Sequence, residues 1–192
     1  FNYLSSPFTV LIFLFDKADI SFAITALVIV KCMASAVTFT YYLKASQKRH
    51  SYVSAAFGVF YAFCAYFLAY YWNIMWIDGM ILLPLIVLGI ERLIHNGKGA
   101  LYTGALAVLL LSNYYMGYMA CIFSVLYFLA YFLMTAKPRP EKSGEKLTTR
   151  EKYSAKNLMR HPFLNRCMRF AGFSLLAGGL CAVTLLPTYF LL

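Results

Sequence analysis

Long apolar runs separated by short polar loops are the feature that most constrains this chain. The runs at residues 20–43, 52–71 and 170–192 each hold about the ~20 residues that a helix needs to cross a bilayer. Only 12% of the 192 residues are charged, against about a quarter in ordinary soluble domains. Backbone groups in lipid must be satisfied internally, which favours helices. The sequence therefore predicts an all-α fold, a polytopic transmembrane helical bundle.

We expect about six spans, because three shorter apolar runs, at residues 80–90, 101–111 and 118–134, lie between the second and the third of the longer ones. The run at 80–90 is short and contains Pro84, so this helix should be kinked or extended at both ends. The chain begins without Met and ends inside an apolar run, and we expect it to be part of a longer protein.

The predicted organisation has four parts. They are an external interfacial segment at 1–19, transmembrane helices with outer polar and aromatic loops at 20–136, a basic loop at 137–169 and a transmembrane helix at 170–192. The second half of the basic loop could be a helix lying on anionic lipid.

The distribution of positive charge predicts the orientation. The chain carries 17 Lys and Arg residues against 7 acids, and all but Lys17 and Lys31 lie in three loops that share one side if the helices alternate. This pattern places the basic loops in the cytoplasm and the chain in a cytoplasmic membrane. It argues against nucleic acid as a partner and indicates membrane lipid instead.

Several classes of site lack sequence support. Five cysteines are scattered without CxxC spacing, so we predict neither disulfides nor a metal site. There is no P-loop, dinucleotide fingerprint, HExxH or nucleophile elbow. A cytoplasmic site that uses a nucleotide is therefore not supported.

Polar and aromatic residues gather in the two loops predicted to lie outside. Carboxylates and amides among aromatic rings suit a sugar, which offers hydroxyls to bond and apolar faces to stack. A carboxylate there could act as a general base or bind a divalent cation, so the cofactor stays open. The candidate binding residues are Asn73, Trp76, Asp78, Asn113, Tyr114 and Tyr115.

Each candidate also has a structural interpretation. Asp78 could cap a helix that begins at Gly79. The Trp and Tyr residues could form an interfacial aromatic belt. Asn113 could satisfy backbone groups at a hairpin tip. The functional hypothesis depends on all of them converging on one face.

Lys31 is the remaining candidate. A lysine near mid-span costs about 2.5–3.5 kcal/mol on insertion scales, so it should face the bundle interior and have a partner. It could bind the phosphate of a lipid-linked donor, or form a buried ion pair with an acid outside this segment.

Two strings resemble the YfhO-like bacterial membrane proteins. The first is YWNIMWID at residues 71–78, continuing through LPL at 83–85 to GIERL at 89–93, and the second is SNYYMGYM at 112–119. The opening SPF at 6–8 and the first span with Lys31 are also similar. The resemblance extends from the first residues to about Met134.

The resemblance implies a GT-C type glycosyltransferase, which moves a sugar from a polyprenyl-phosphate carrier to an extracytoplasmic envelope acceptor such as lipoteichoic acid. It also implies a catalytic acid in an external loop before this segment, so the catalytic residue is unknown here and Asp78 would be a supporting residue. The alternatives are a transporter or flippase of lipid-linked envelope precursors and a non-catalytic scaffold.

Overall fold

In the computed structural model of the chain, the structure describes residues 6–47, 52–135 and 149–182, with the side chains of 149–163 excepted. Every regular element in this part is helical. Two short 3₁₀ helices, Pro7–Leu14 and Lys17–Asp19, precede seven α-helices. These are α1 Ile20–Gln47, α2 Tyr52–Ala62, α3 Ala65–Tyr70, α4 Ile74–Asn96, α5 Ala100–Ser112, α6 Tyr114–Thr135 and α7 Thr149–Leu180.

The all-α transmembrane prediction is confirmed. Four helical segments in the described part are long and apolar enough to span a membrane, namely Lys17–Gln47, Tyr52–Tyr70, Ile74–Asn96 and Tyr114–Thr135. The apolar helix Ala100–Ser112 is shorter. The first three spans and the hairpin of α5 and α6 thus follow the predicted order.

Three boundaries differ from those expected. The span predicted at 52–71 is interrupted between α2 and α3, where the backbone of Cys64 is extended, with φ −65° and ψ 162°. The short span predicted at 80–90 is extended at both ends, as expected, but α4 begins earlier than predicted, at Ile74, and ends at Asn96 before Gly97 in the left-handed conformation, with φ 69°. Helix α7 runs unbroken across the boundary predicted at residue 169.

Some predicted segments fall outside the described residues. They are the start of the basic loop at 136–148 and the last apolar residues at 183–192.

Helix α4 is the central element of the bundle. It packs against α1 on one side and against α5 and α6 on the other. Gly89 lets α5 approach closely, since a Cβ on Gly89 would lie 2.5 Å from the backbone nitrogen of Tyr102. This burial explains why α4 is apolar on most of its circumference.

Pro84 lies inside α4 without ending it. Proline has no N–H, so the carbonyl of Met80 loses its usual helical donor. The hydroxyl of Tyr61 donates to that carbonyl at 2.9 Å. Such side-chain compensation lets a proline sit in a membrane helix, and here it also ties α2 to α4.

The bundle has two chemically distinct ends. The aromatic end holds residues 70–78 and 112–118, and the basic end holds the last turns of α1 and α4. At the basic end, Oε1 of Glu91 accepts hydrogen bonds from Tyr42 at 3.2 Å and Tyr127 at 2.8 Å. This contact joins α1, α4 and α6.

Candidate functional site

The chemical centre of the aromatic end is an ion pair between Lys31 of α1 and Asp78 of α4. Lys31 Nζ lies 2.7 Å from Asp78 Oδ1, and each side chain is only 1% exposed. Lys31 also donates to the carbonyl oxygen of Ile74 at 3.0 Å. Because charges in an apolar interior persist only when compensated, this pair fixes how α1 and α4 face each other.

Two sequence predictions about these residues are wrong. The partner of Lys31 is Asp78, within this chain, and not an acid outside it. Asp78 does not cap a helix beginning at Gly79, because α4 begins at Ile74 and Asp78 lies one turn inside it. The interpretation of Lys31 as one half of a buried ion pair is confirmed.

The ion pair leaves one carboxylate oxygen without a partner. Asp78 Oδ2 is buried and accepts no hydrogen bond from any residue that the structure describes. The ring of Phe8, from the first 3₁₀ helix, lies 5.7 Å from Lys31 Nζ. The pair is therefore enclosed by α1, α4 and the N-terminal segment.

Asn113 has a structural role at the tip between α5 and α6. Its Oδ1 accepts hydrogen bonds from the backbone N–H groups of Tyr115 at 3.0 Å and Met116 at 3.2 Å. These bonds satisfy two amide groups at the start of α6. The prediction that Asn113 satisfies the backbone of a hairpin tip is confirmed.

The other polar candidate, Asn73, immediately precedes α4 and is buried. Its backbone carbonyl accepts a hydrogen bond from Trp76 N–H at 2.9 Å, and its side chain forms no capping hydrogen bond to the helix. The Trp76 ring lies 5.3 Å from that of Tyr70.

The two predicted loops adjoin in the folded chain. A Cβ on Gly79 would lie 2.9 Å from the methyl carbon of Met116, so the first turns of α4 and α6 touch. Tyr114 and Tyr115 are exposed beside this contact. The structure thus brings the two loops together, with Lys31 and Asp78 buried beneath them.

An apolar groove of about 370 Å³ is lined by Gly79 and Met80, the two residues of α4 that follow Asp78. It is bounded by α2, α3, α4, α5 and α6. Its lining includes Tyr61, Tyr66, Met80, Leu83, Met116 and Phe123. The sequence analysis did not predict this groove, because it forms where α2 is interrupted.

Comparison with known proteins agrees with these features. The family described as "Bacterial membrane protein YfhO" matches residues 2–192. The chain belongs to the YfhO family. It is 36% identical over 72 residues to the "Uncharacterized protein YfhO" of Bacillus subtilis (strain 168). No solved structure matches the chain.

The aligned part covers 38% of this YfhO chain but only 8% of the B. subtilis protein. The aligned residues are therefore a small fraction of the B. subtilis protein. Family membership supports a membrane location for this chain.

Metal binding has little geometric support in the described part of this YfhO chain. No group of three or more His, Cys, Asp or Glu side chains there could hold a metal ion. The carboxylate of Asp78 is already in contact with an ammonium group. A metal cation bound to the Asp78 carboxylate would compete with the ammonium group of Lys31.

Among the residues that sequence reasoning missed, Tyr61 had a detectable signal. A proline inside an apolar helix frees the carbonyl four residues earlier, here that of Met80, and a membrane segment must supply a donor for it. The tyrosines of the neighbouring span at 52–71 were the candidate donors for this carbonyl.

Proposed function

We propose that this chain is part of an integral membrane glycosyltransferase. The enzyme moves a sugar from a polyprenyl-phosphate carrier to an extracytoplasmic envelope acceptor such as lipoteichoic acid. The single observation that carries the proposal is the buried Asp78 carboxylate, with one oxygen unpartnered. The next two residues of α4, Gly79 and Met80, line an apolar groove. A sugar that is attached to an isoprenoid chain needs a polar group and an apolar groove in the same part of the protein.

The groove suits the lipid part of such a donor. Its lining is formed by apolar, aromatic and sulfur-containing side chains, and it lies among helices that are long enough to span a membrane. An isoprenoid chain can lie there without leaving an apolar environment. A donor already attached to lipid needs no nucleotide pocket, and the sequence contains no nucleotide-binding motif.

We assign a supporting role to the ion pair. Lys31 orients Asp78, because its ammonium group holds Oδ1 at 2.7 Å. Asp78 Oδ2 then accepts a hydrogen bond from a hydroxyl of the donor or acceptor. The catalytic residue of the transfer is proposed to lie on another part of the protein.

The other predicted binding residues lie at the same end of the bundle as Asp78. Tyr114 and Tyr115 are exposed and Trp76 is partly exposed, so their rings are available for stacking on a sugar. Asn73 offers an amide that makes no capping hydrogen bond. With the basic end in the cytoplasm, these residues would face the outer leaflet, where the acceptor is.

Asp78→Asn in the full-length protein tests the proposal. We expect it to lower glycosylation of the envelope polymer while the amount of protein in the membrane stays normal. Glu91→Gln is the matched control, because Glu91 is also a buried acid of α4 but lies about 20 Å away along the helix. Normal glycosylation in Asp78→Asn would refute the proposal.

A transporter or flippase of lipid-linked envelope precursors is the second candidate. Two observations favour it: the ionisable pair within membrane-spanning segments, and the interruption between α2 and α3. Both features occur in transporters. Purified full-length protein in vesicles separates the candidates, because a flippase moves the labelled carrier lipid across the bilayer without an acceptor, whereas a transferase produces glycosylated acceptor.

A further inference from the structure

Three helices begin or end at the basic end of the bundle. Helix α4 ends at Asn96, α5 begins at Ala100 and α6 ends at Thr135. His95 Nε2 lies 2.8 Å from the hydroxyl oxygen of Tyr131, so the ends of α4 and α6 adjoin. The ends of membrane-spanning helices lie near the lipid headgroups, and side chains at this level therefore meet them.

Helix α7 brings Arg166 to this level. The ring of Phe170 stacks on that of Phe128 in α6, with the ring centroids 4.4 Å apart. Four residues before Phe170, the Cζ of Arg166 lies 5.7 Å from the centre of the Phe132 ring. The contact thus moves four residues back along α7 and four residues forward along α6, so the two helices are antiparallel. Arg166 consequently lies near the end of α6.

A second arginine of α7 lies beside the end of α4. The Cζ of Arg169 would be 3.6 Å from a Cβ on Gly97, the residue that follows α4. A cation is favoured at the C-terminal end of a helix, and the face of the Phe132 ring attracts Arg166. Since Arg166 and Arg169 are three residues apart, they are neighbours on one face of α7.

The two guanidinium groups have no anionic partner within the described residues. Neither forms an ion pair or a hydrogen bond there. Glu91, whose acidic side chain is the one that the structure describes at this end, already accepts hydrogen bonds from Tyr42 and Tyr127. A guanidinium group binds phosphate oxygens through two parallel N–H donors. The two arginines therefore suit a phosphate group.

The surface beside the arginines is apolar. Leu133 of α6 is 66% exposed and Met168 of α7 is 68% exposed. Acyl chains fit such a surface, whereas a free phosphate ion would gain nothing from it. A zwitterionic headgroup also carries a cation, which the arginines repel. Basic pockets between membrane helices commonly bind anionic headgroups, and an anionic phospholipid suits both the charge and the apolar surface.

We propose that Arg166 and Arg169 bind the phosphate group of an anionic phospholipid at the basic end of the bundle. The acyl chains of this lipid lie along the exposed apolar side chains of α6 and α7. The inference concerns the end of the bundle opposite to Asp78 and does not depend on the proposed function.

Photolabelling of purified full-length protein in detergent tests the inference. The probe is phosphatidylglycerol with a photoreactive group on one acyl chain, and the labelled peptides are identified by mass spectrometry. We expect label on the peptides that contain Leu133 or Met168. Excess unlabelled phosphatidylglycerol should prevent this labelling, whereas phosphatidylcholine and inorganic phosphate should not.

Arg169→Gln and Arg166→Gln each remove one charge and keep a polar side chain. One basic residue near anionic lipid contributes about fivefold in affinity. Each variant should therefore need about fivefold more probe for the same labelling of these peptides. Size-exclusion chromatography of every variant checks that the protein is folded and monodisperse, and two separate variants guard against the loss of one.

Lys44→Gln is the matched control. Lys44 is an exposed cation in the last turn of α1, and α1 packs on the side of α4 away from α5 and α6. The control removes the same charge from the same end of the bundle. It should leave the labelling of the α6 and α7 peptides unchanged.

Three results would overturn the inference. The first is wild-type protein that is labelled only on other peptides. The second is equal protection by phosphatidylcholine or by inorganic phosphate, which would mean that the arginines select no anionic lipid. The third is a loss in Lys44→Gln as large as that in Arg169→Gln, which would mean that the probe responds to the overall positive charge and not to these two arginines.

Discussion

Replacing Lys31 with Met should destabilise the bundle strongly, because it leaves the Asp78 carboxylate buried without a compensating charge. Two unit charges 2.7 Å apart attract by about 6 kcal/mol at an effective dielectric constant of 20. Desolvation of both groups cancels much of this attraction in the intact pair. Removing one partner of a buried pair, however, typically costs about 3–5 kcal/mol, and we expect a loss of that size for Lys31→Met.

The double variant Lys31→Met with Asp78→Leu gives the decisive comparison. It replaces both charges with apolar groups of similar volume, an exchange that is often neutral or stabilising by about 1–4 kcal/mol. The double variant should therefore have nearly the same free energy of unfolding as the wild type. In contrast, Asp78→Leu alone should be destabilised because Lys31 is then left unpaired.

The free energy of unfolding would be measured on purified full-length protein in mixed micelles, by titration with a denaturing detergent. The coupling energy between the two positions comes from the four proteins of the cycle. Additive losses, with the double variant less stable than either single one, would refute the argument that the pair is held by mutual compensation. A stable double variant without transfer activity would further separate the role of the pair in folding from its role in function.

Three further substitutions test the packing around the site by the same unfolding measurement. Tyr61→Phe should cost about 1–3 kcal/mol, because the carbonyl of Met80 loses its donor; no loss would mean that another group satisfies this carbonyl. Gly89→Leu should prevent close packing of α5 on α4, since even a Cβ would lie 2.5 Å from Tyr102 N, and normal stability would contradict the close approach. Asn113→Ala should cost about 1 kcal/mol through loss of the cap of α6, and a neutral effect would show that the backbone finds other partners.

Composition and periodic apolar runs were enough to predict the helices. They could not predict the interruption between α2 and α3, because residues 63–64 contain neither Gly nor Pro. The start of α4 was predicted too late in the chain. Trp76 and Asp78 look like a loop in sequence, but both lie inside the helix that begins at Ile74.

Part of the geometry was predictable. Sequence analysis predicted that residues 71–78 and 112–119 gather at one end of the bundle, and the contact between Gly79 and Met116 shows that the two segments adjoin. The partner of Lys31 could not be predicted, because it depends on the rotation of α1 relative to α4. Sequence analysis placed Asp78 at the start of a helix and Lys31 near the middle of a span, so the two residues were expected at different depths in the membrane. The long lysine side chain reaches across this distance to Asp78.

The two buried acids of α4, Asp78 and Glu91, differ in how far their carboxylate oxygens are hydrogen-bonded, and this difference separates a structural role from a binding role. Oε1 of Glu91 accepts hydrogen bonds from two tyrosine hydroxyls, as expected for a carboxylate that holds helices together. Asp78 has a compensating cation but an unpartnered oxygen. An unsatisfied buried acceptor costs about 1–3 kcal/mol, and a nearby serine or tyrosine could have removed that cost. We attribute the unpartnered oxygen to a ligand that supplies the missing donor.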